Sequence, residues 1–237
     1  MNIVALDAEQ ANATALLAAL PRGDKHPVLV LPRLHATDTS TSTLRTVLKQ
    51  LGYPTYGRRP GRNNGPTTKV LHGMRARLDY LTNRHQRPVT LIGCSLGGIY
   101  ARQLARRTPQ AVRQVITLSS PIRLVRYEKS RANRLFHLCA HQHIDPVNLP
   151  LEHDDDPLPV PATSTYTPLD GIRAWRTCLD EHTPRAENIA VLASHFGITH
   201  HPAALWAIAD RLAQPADQWK PFQPPPLLPT AYLAPGS

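Results

Sequence analysis

Short apolar runs alternate with amphipathic stretches over most of the chain. Four runs are rich in β-branched residues and bounded by proline or glycine, as buried parallel strands are, at residues 26–32, 87–93, 115–121 and 188–194. A helix is predicted after the first run from the spacing of Leu44, Val47, Leu48 and Leu51. A second helix is predicted from Leu71, Met74, Leu78 and Leu81. This alternation predicts an α/β fold, with a mostly parallel sheet flanked by helices.

Two segments depart from this alternation. Residues 122–163 are rich in proline, include the acidic run at 154–156 and have no clear strand pattern, so we expect an insertion that caps the sheet. Residues 214–237 form a proline-rich tail in which Trp219 and Phe222 should contact the domain. The sequence therefore predicts one domain at residues 1–213, followed by this tail.

Composition narrows the choice of partners. The chain has 237 residues, 41% of them hydrophobic, which is enough for one sizeable core. Lys and Arg outnumber Asp and Glu by 27 to 17, so the net charge of +10 should attract an anionic membrane surface or acidic substrates. Arginines such as Arg102 and Arg106 lie on predicted helical faces without interleaved aromatic residues. No nucleic-acid partner is expected.

The N-terminus and the cysteines point to a reducing compartment. Asp7 and Glu9 stand where a signal peptide would be positively charged, and the first apolar run is short and interrupted. A cytoplasmic location is expected. Three cysteines, Cys94, Cys139 and Cys178, are too few for a disulfide framework, and Cys94 should be buried and inert within its strand.

The most specific chemical signal is the stretch Gly-Cys-Ser-Leu-Gly at residues 93–97. It matches the pattern G-x-S-x-G and lies between an apolar strand and a helical pattern, where a sharp turn would lift the Ser95 hydroxyl clear of the backbone. The glycines leave room for the turn, and the helix N-terminus below adds a positive field. We predict that Ser95 is a nucleophile rather than a small residue in a structural turn.

Residues 89–121 resemble the central strand, nucleophile turn and following helix and strand of the α/β-hydrolase fold, in its lipase and esterase branch. The resemblance extends from Val28 to Leu212. It implies an eight-stranded, mostly parallel sheet that carries its catalytic residues on loops at the carboxyl ends of the strands.

The resemblance also implies an acid and a base downstream of the serine. Asp170 follows a β-prone run and precedes a glycine in a turn, so we favour it as the acid over Asp145, in the proline-rich insertion, and Asp180, in a helical pattern. His195 follows the last apolar strand and is the predicted base. His200 and His201 are the alternatives and are expected at the surface or behind the catalytic residues.

An oxyanion hole completes the implied machinery. The amide of Leu96, directly after the nucleophile, is the predicted first donor, and the amide of Arg33 or Leu34 is the second. The loop reads Pro-Arg-Leu-His at residues 32–35, where relatives carry His-Gly or Pro-Gly before an apolar residue. The choice between Arg33 and Leu34 therefore stays open.

The insertion holds the remaining candidates. Its apolar residues Phe136 and Leu138 are predicted to line the substrate pocket, although they could equally seal the insertion onto the domain. Its histidines, His137, His141 and His143, have no general-base glutamate among them, so no metal site is expected. The chemistry requires no cofactor.

These observations predict a serine hydrolase that cleaves carboxylic esters of small molecules or lipids through an acyl-enzyme on Ser95. An acyltransferase with the same residues is the alternative within enzymes. A non-catalytic binding protein on the same scaffold is the alternative outside them, because a fold does not by itself give a function.

Overall fold

The computed structural model describes residues 14–59, 61–123, 157–181, 183–226 and 229–233. Within them, one sheet of seven strands has the order β2-β1-β3-β4-β5-β6-β7. The strands are β1 (Val28–Leu31), β2 (Thr55–Gly57), β3 (Val89–Cys94), β4 (Val112–Leu118), β5 (Ala162–Tyr166), β6 (Ala186–Val191) and β7 (Tyr232–Leu233). The first six are parallel, and β7 pairs antiparallel with β6.

Helices cover both faces of the sheet. They are α1 (Ser42–Gln50), α2 (Thr68–His85), α3 (Leu96–Arg107) and α4 (Pro202–Ala213). In α1 and α4, Leu44, Leu48 and Ile208 pack on one face against Val28 and Val30 of β1. On the opposite face, α2 and α3 pack against the alternate residues of the same strand, Leu29 and Leu31. A strand buried on both sides must be apolar at every position, which explains its unbroken apolar run.

The predicted strands and helices are found, with two corrections. β5 begins at Ala162, inside the segment expected to be an insertion, so the insertion ends before that residue. The described residues contain seven strands rather than eight. The apolar pattern of the sequence does not reveal β2, because this strand has only three residues, and one of them is glycine. Most of the insertion lies outside the described residues.

The tail returns to the domain. Phe222 packs against the core on the face of α1 and α4, and its amide donates to the Glu187 carboxylate at 2.7 Å. The same carboxylate pairs with Arg211 at 2.6 Å, and both side chains are buried. Beyond this anchor the tail supplies β7, which the sequence pattern did not predict. Among the described residues, no helix is long and apolar enough to cross a membrane.

Candidate active site

Ser95 lies at the sharp turn between β3 and α3. Its backbone has φ +50° and ψ −119°, a conformation that side chains other than glycine rarely adopt. Such a conformation costs of the order of 1–3 kcal/mol and persists where the surrounding structure enforces it. The Ser95 amide donates to the carbonyl of Leu118 in β4 at 2.9 Å, which ties the turn to the neighbouring strand.

Three glycines make the turn possible because other parts of the chain occupy the space a side chain would need. A Cβ at Gly93 would overlap the backbone of Gly98, and one at Gly98 would overlap the Ser120 side chain. A Cβ at Gly97 would overlap the carbonyl oxygen of Leu31, at the end of β1. The spacing of glycines around the serine is therefore a packing requirement of β1, β3 and α3.

The Ser95 hydroxyl is not used to cap α3. Ser95 is the N-cap residue, yet its side chain accepts no hydrogen bond from the helix. The Leu96 amide has no backbone acceptor among the described residues, as is usual in the first turn of a helix. A free hydroxyl beside an unpaired amide is what attack on a carbonyl and stabilisation of the resulting oxyanion require.

Asp170 and His195 meet at the same edge of the sheet. Asp170 follows β5, His195 follows β6, and His195 Nδ1 lies 2.8 Å from Asp170 Oδ2. The other carboxylate oxygen of Asp170 accepts from the amides of Ile172 at 3.1 Å and Arg173 at 2.7 Å. Both catalytic candidates are buried, at 4% exposed for Asp170 and 6% for His195.

This pairing fixes the state of the imidazole. Burial raises the pKa of Asp170, but the hydrogen bond and charge of His195 and the two backbone amides outweigh it, so the pKa lies below its usual value. An ionised carboxylate only accepts, so Nδ1 of His195 must carry the proton. The lone pair of a neutral His195 is then on Nε2, where it can accept the proton of a nucleophile.

Ser95 and His195 are not hydrogen-bonded to each other in the described structure. Both side chains are nevertheless largely buried, and both follow the carboxyl ends of parallel strands in one sheet. Hydrogen bonds between catalytic groups are often long without substrate and shorten in the reactive complex. The structure thus pairs Asp170 with His195, and the described residues show no hydrogen bond between His195 and Ser95.

The alternative acids and bases lie elsewhere. Asp180 follows a short 3₁₀ helix and forms a buried ion pair with Arg102 of α3. Its carboxylate therefore binds a guanidinium rather than an imidazole. His201 is the N-cap residue of α4, and His200 before it is exposed, as expected. Among the described residues, neither histidine bonds to Asp170. Asp145 lies outside the described residues.

The loop after β1 is held in place by Asn63, a residue that the sequence analysis did not single out. The Asn63 side-chain amide donates to the carbonyls of Pro32 at 3.0 Å and Arg33 at 3.2 Å, and the backbone carbonyl of Asn63 accepts from the His35 amide at 2.7 Å. The amides of Arg33 and Leu34 have no backbone acceptor in the described structure. Both therefore stay predicted donors, and no local pattern marks Asn63, because it acts on a loop 31 residues away.

An aromatic ring and a cation form one rim of the site. The Arg33 guanidinium lies 4.5 Å from the ring centroid of Phe196, and that ring stands edge-on to the His195 imidazole at 5.4 Å. Phe196 is 51% exposed, and Leu169, next to Asp170, is 63% exposed. Large exposed apolar side chains next to Asp170 and His195 give this part of the surface an apolar character.

Cys94, next to Ser95, is buried and free. Burial raises the pKa of its thiol to about 12, although the Arg33 charge acts in the opposite direction. Phe136, Leu138 and the insertion histidines lie outside the described residues. Within the described ranges, no three His, Cys, Asp or Glu side chains are grouped so that they could hold a metal ion.

Solved structures with the same architecture are lipases and related hydrolases. Aspergillus fumigatus lipase B superposes with a TM-score of 0.62 and 15% identity over 83% of this chain and 55% of that one, so this chain spans little more than half of its length. Mature Bacillus licheniformis lipase BlEst2 superposes with a TM-score of 0.60 and 14% identity, over 83% of this chain and 95% of that one. For Paleococcus ferrophilus monoacylglycerol lipase the TM-score is 0.57 and the identity 12%, over 82% of this chain and 96% of that one. No protein-family model and no curated protein sequence matches the chain.

Proposed function

We propose that this chain, which has the α/β-hydrolase fold, is a serine hydrolase that cleaves carboxylic esters through an acyl-enzyme on Ser95. The observation that carries the proposal is the 2.8 Å Asp170–His195 hydrogen bond at the sheet edge where the strained Ser95 turn lies. If the Asp170–His195 pair served only stability, nothing would require Ser95, at the same edge of the sheet, to adopt a rare backbone conformation. The lipase neighbours add support from their shared fold.

The proposed reaction assigns one task to each group. Nε2 of His195 takes the Ser95 proton as the hydroxyl oxygen attacks the ester carbonyl. His195 then returns that proton to the alcohol oxygen as the C–O bond breaks, which leaves an acyl group on Ser95. Water, deprotonated by His195, cleaves the acyl-enzyme to the acid. Asp170 keeps the imidazole in the required tautomer throughout.

The negative charge on the carbonyl oxygen develops beside the start of α3. We propose that the Leu96 amide is one donor to this oxygen, since it lies in the first turn and has no backbone acceptor. The second donor would be the amide of Arg33 or Leu34, on the loop fixed by Asn63. An Asn63→Ala variant that lowers kcat without weakening substrate binding would support that role of the loop.

Covalent labelling tests the proposal directly. The purified protein should hydrolyse short 4-nitrophenyl esters and react with a fluorophosphonate at Ser95, located by peptide mass spectrometry. Ser95→Ala should abolish both, while Ser40→Ala, in the short helical turn Asp38–Thr41, should change neither. A protein that neither cleaves these esters nor takes the label, although folded, would be a binding protein on this scaffold.

An acyltransferase would differ from a hydrolase only in the second step, in which the acyl group leaves Ser95. Both reactions form the same acyl-enzyme, so the label at Ser95 cannot distinguish them. Adding short alcohols to the ester assay should leave free acid as the main product of a hydrolase. An acyltransferase would convert most of the acyl group to the new ester.

The segment after Ile122 is proposed to select the substrate. Along the chain it lies between β4 and β5, and it contains Phe136 and Leu138. Replacing both by alanine should shift the preferred acyl-chain length while labelling at Ser95 continues. Unchanged preference with a lower melting temperature would mean that these residues only pack the segment onto the domain.

A further inference from the structure

A cationic cleft lies at the carboxyl end of β2, and none of the candidate catalytic residues lines it. It is formed by the loop after β2 and by α2 as far as Tyr80, and encloses about 670 Å³. Its lining includes five basic side chains, Arg58, Arg59, Arg62, Lys69 and Arg77. No aspartate or glutamate is among the described residues that line it. This cleft plays no part in the ester chemistry proposed above.

The positive charges of this cationic cleft are not neutralised from within the described structure. None of its five basic side chains forms an ion pair with a described carboxylate. Asp38, whose charge acts weakly on Arg77, accepts from the backbone amides of Arg58 at 3.1 Å and Arg59 at 3.0 Å rather than from a side chain of the cleft. Burial lowers the pKa of Arg77, and the charge of Arg59 lowers it further, which reflects repulsion between the two guanidinium groups.

Arg58 is the most buried of these cations. It is 9% exposed, its Nη2 donates to the carbonyl of Gly61 at 3.0 Å, and its Nε is buried without a partner. A buried donor of a charged group without an acceptor is costly, so such groups are satisfied in most proteins. Arg58 therefore brings to the lining of the cleft a largely buried positive charge that pairs with no described carboxylate.

The start of α2 adds to the positive field. Thr67 caps the helix by accepting from the Val70 amide, but the first turn contains Lys69 and no acidic residue. A cation in this place opposes the helix dipole, whereas an anion in front of it would be stabilised. Arg77 lines one side of the cleft. Its guanidinium carbon lies 5.2 Å from the ring centroid of Tyr56 and 5.4 Å from that of Tyr80, and these contacts orient the guanidinium group.

We propose that the cationic cleft binds a phosphate-bearing group. A ligand with a single carboxylate would need fewer than five cations, so the cluster favours a ligand of higher negative charge. Phosphate meets this requirement, and guanidinium groups bind its oxygens in a bidentate manner. The concave shape fits a compact head group.

Calorimetric titration with inorganic pyrophosphate at low ionic strength tests this site. The intact chain should bind it, and the triple variant Arg59→Gln, Arg62→Gln, Lys69→Gln should bind roughly tenfold or more weakly. A matched variant, Lys49→Gln, Arg107→Gln, Arg185→Gln, removes three exposed charges outside the cleft and should retain the affinity. Equal weakening in both triple variants, or no binding by the intact chain, would overturn the proposal.

Two further measurements identify the source of the phosphate and protect the conclusion. Cleft-dependent sedimentation with phosphatidylglycerol vesicles, but not phosphatidylcholine vesicles, would identify a lipid head group, whereas pyrophosphate binding alone would identify a free phosphorylated molecule. Tighter, cleft-dependent binding of duplex DNA than of pyrophosphate would overturn the proposal in favour of a nucleic-acid groove. Labelling of Ser95 measured in parallel reports separately on the proposed hydrolase activity, and unchanged melting temperatures exclude unfolding of the variants.

Discussion

Two aspartates, Asp170 and Asp180, follow β5 within ten residues of each other, yet they have different surroundings. Asp170 accepts from His195 and two backbone amides, and Asp180 pairs with Arg102. A carboxylate beside an imidazole controls its tautomer, whereas one beside a guanidinium contributes to stability. The two residues therefore form a matched pair for mutagenesis.

Asp170→Asn should lower kcat by roughly 10³- to 10⁴-fold, because a neutral amide no longer holds the proton on Nδ1 of His195. The melting temperature should change little. Asp180→Asn should have the opposite effect and destabilise the fold, by up to about 3–5 kcal/mol, with kcat nearly retained, since it removes the negative charge that pairs with the buried Arg102 guanidinium. Ester hydrolysis and thermal unfolding of both variants check this. Equal losses of kcat would contradict the assignment of Asp170.

Cys94 should be unreactive despite its place beside Ser95, the proposed nucleophile. Its pKa of about 12 keeps the thiol protonated at neutral pH. Only 4% of the residue is exposed, so reagents in solution have little access to it. Incubation with iodoacetamide should leave ester hydrolysis intact and Cys94 unmodified by mass spectrometry. Rapid inactivation with modification at this residue would mean that the strand opens readily.

At the scale of elements, the turn between β3 and α3 depends on how closely β1 approaches the helix. Gly97 lies against the carbonyl oxygens of Leu31 and Pro32, the second at 2.9 Å from where a Cβ would be. The loop that follows Pro32 carries the predicted oxyanion donors. A side chain at this glycine would therefore affect both the packing of α3 and the geometry of the catalytic loop.

Gly97→Ala should lower both stability, by about 1–3 kcal/mol, and kcat, because the new methyl group must displace backbone atoms. Gly73→Ala in α2 is the control: nothing lies within 4 Å of the added Cβ. It should stabilise the protein by about 0.5–1 kcal/mol through helix propensity. Chemical denaturation and ester hydrolysis measure both variants. A Gly97→Ala protein with unaltered activity would show that the loop does not depend on this contact.

At the scale of the whole molecule, a buried histidine links the stability of the fold to pH. His26 precedes β1, is fully buried, and contacts Asp24 at 2.6 Å and Thr90 at 2.7 Å. Burial lowers its pKa to about 4, against the effect of the hydrogen bond to Asp24, while the charges of Arg113 and Arg87 lower it further. The folded protein therefore holds this imidazole neutral.

Between pH 6.5 and about 4, the unfolded chain binds a proton at His26 that the folded chain does not. The free energy of unfolding should therefore fall as pH decreases through this window, by about 3 kcal/mol from this residue. His26→Gln should flatten the dependence, whatever its effect at neutral pH, and His72→Gln at an exposed position should not. Urea denaturation at several pH values measures the slopes. Parallel slopes for the His26 variant and the intact chain would refute the prediction.

The sequence by itself determined the strands that are buried on both faces and the chemistry of the turn at Ser95. Strands such as β1 and β3 must be apolar at every position, so they are visible as runs, and a glycine pattern is a local steric requirement. The short strand β2 and the edge strand β7 were missed, because their few residues gain stability from pairing rather than from a pattern of their own.

Only the tertiary structure decided which side chains meet. It paired Asp170 rather than Asp180 with His195, and placed Asn63 on the loop after β1. It also gathered Arg58 and Arg77 into one cationic cleft, although they belong to separate elements. Contacts between residues far apart in the chain depend on strand order and on how helices pack on the sheet, and local spacing along the chain carries no information about either.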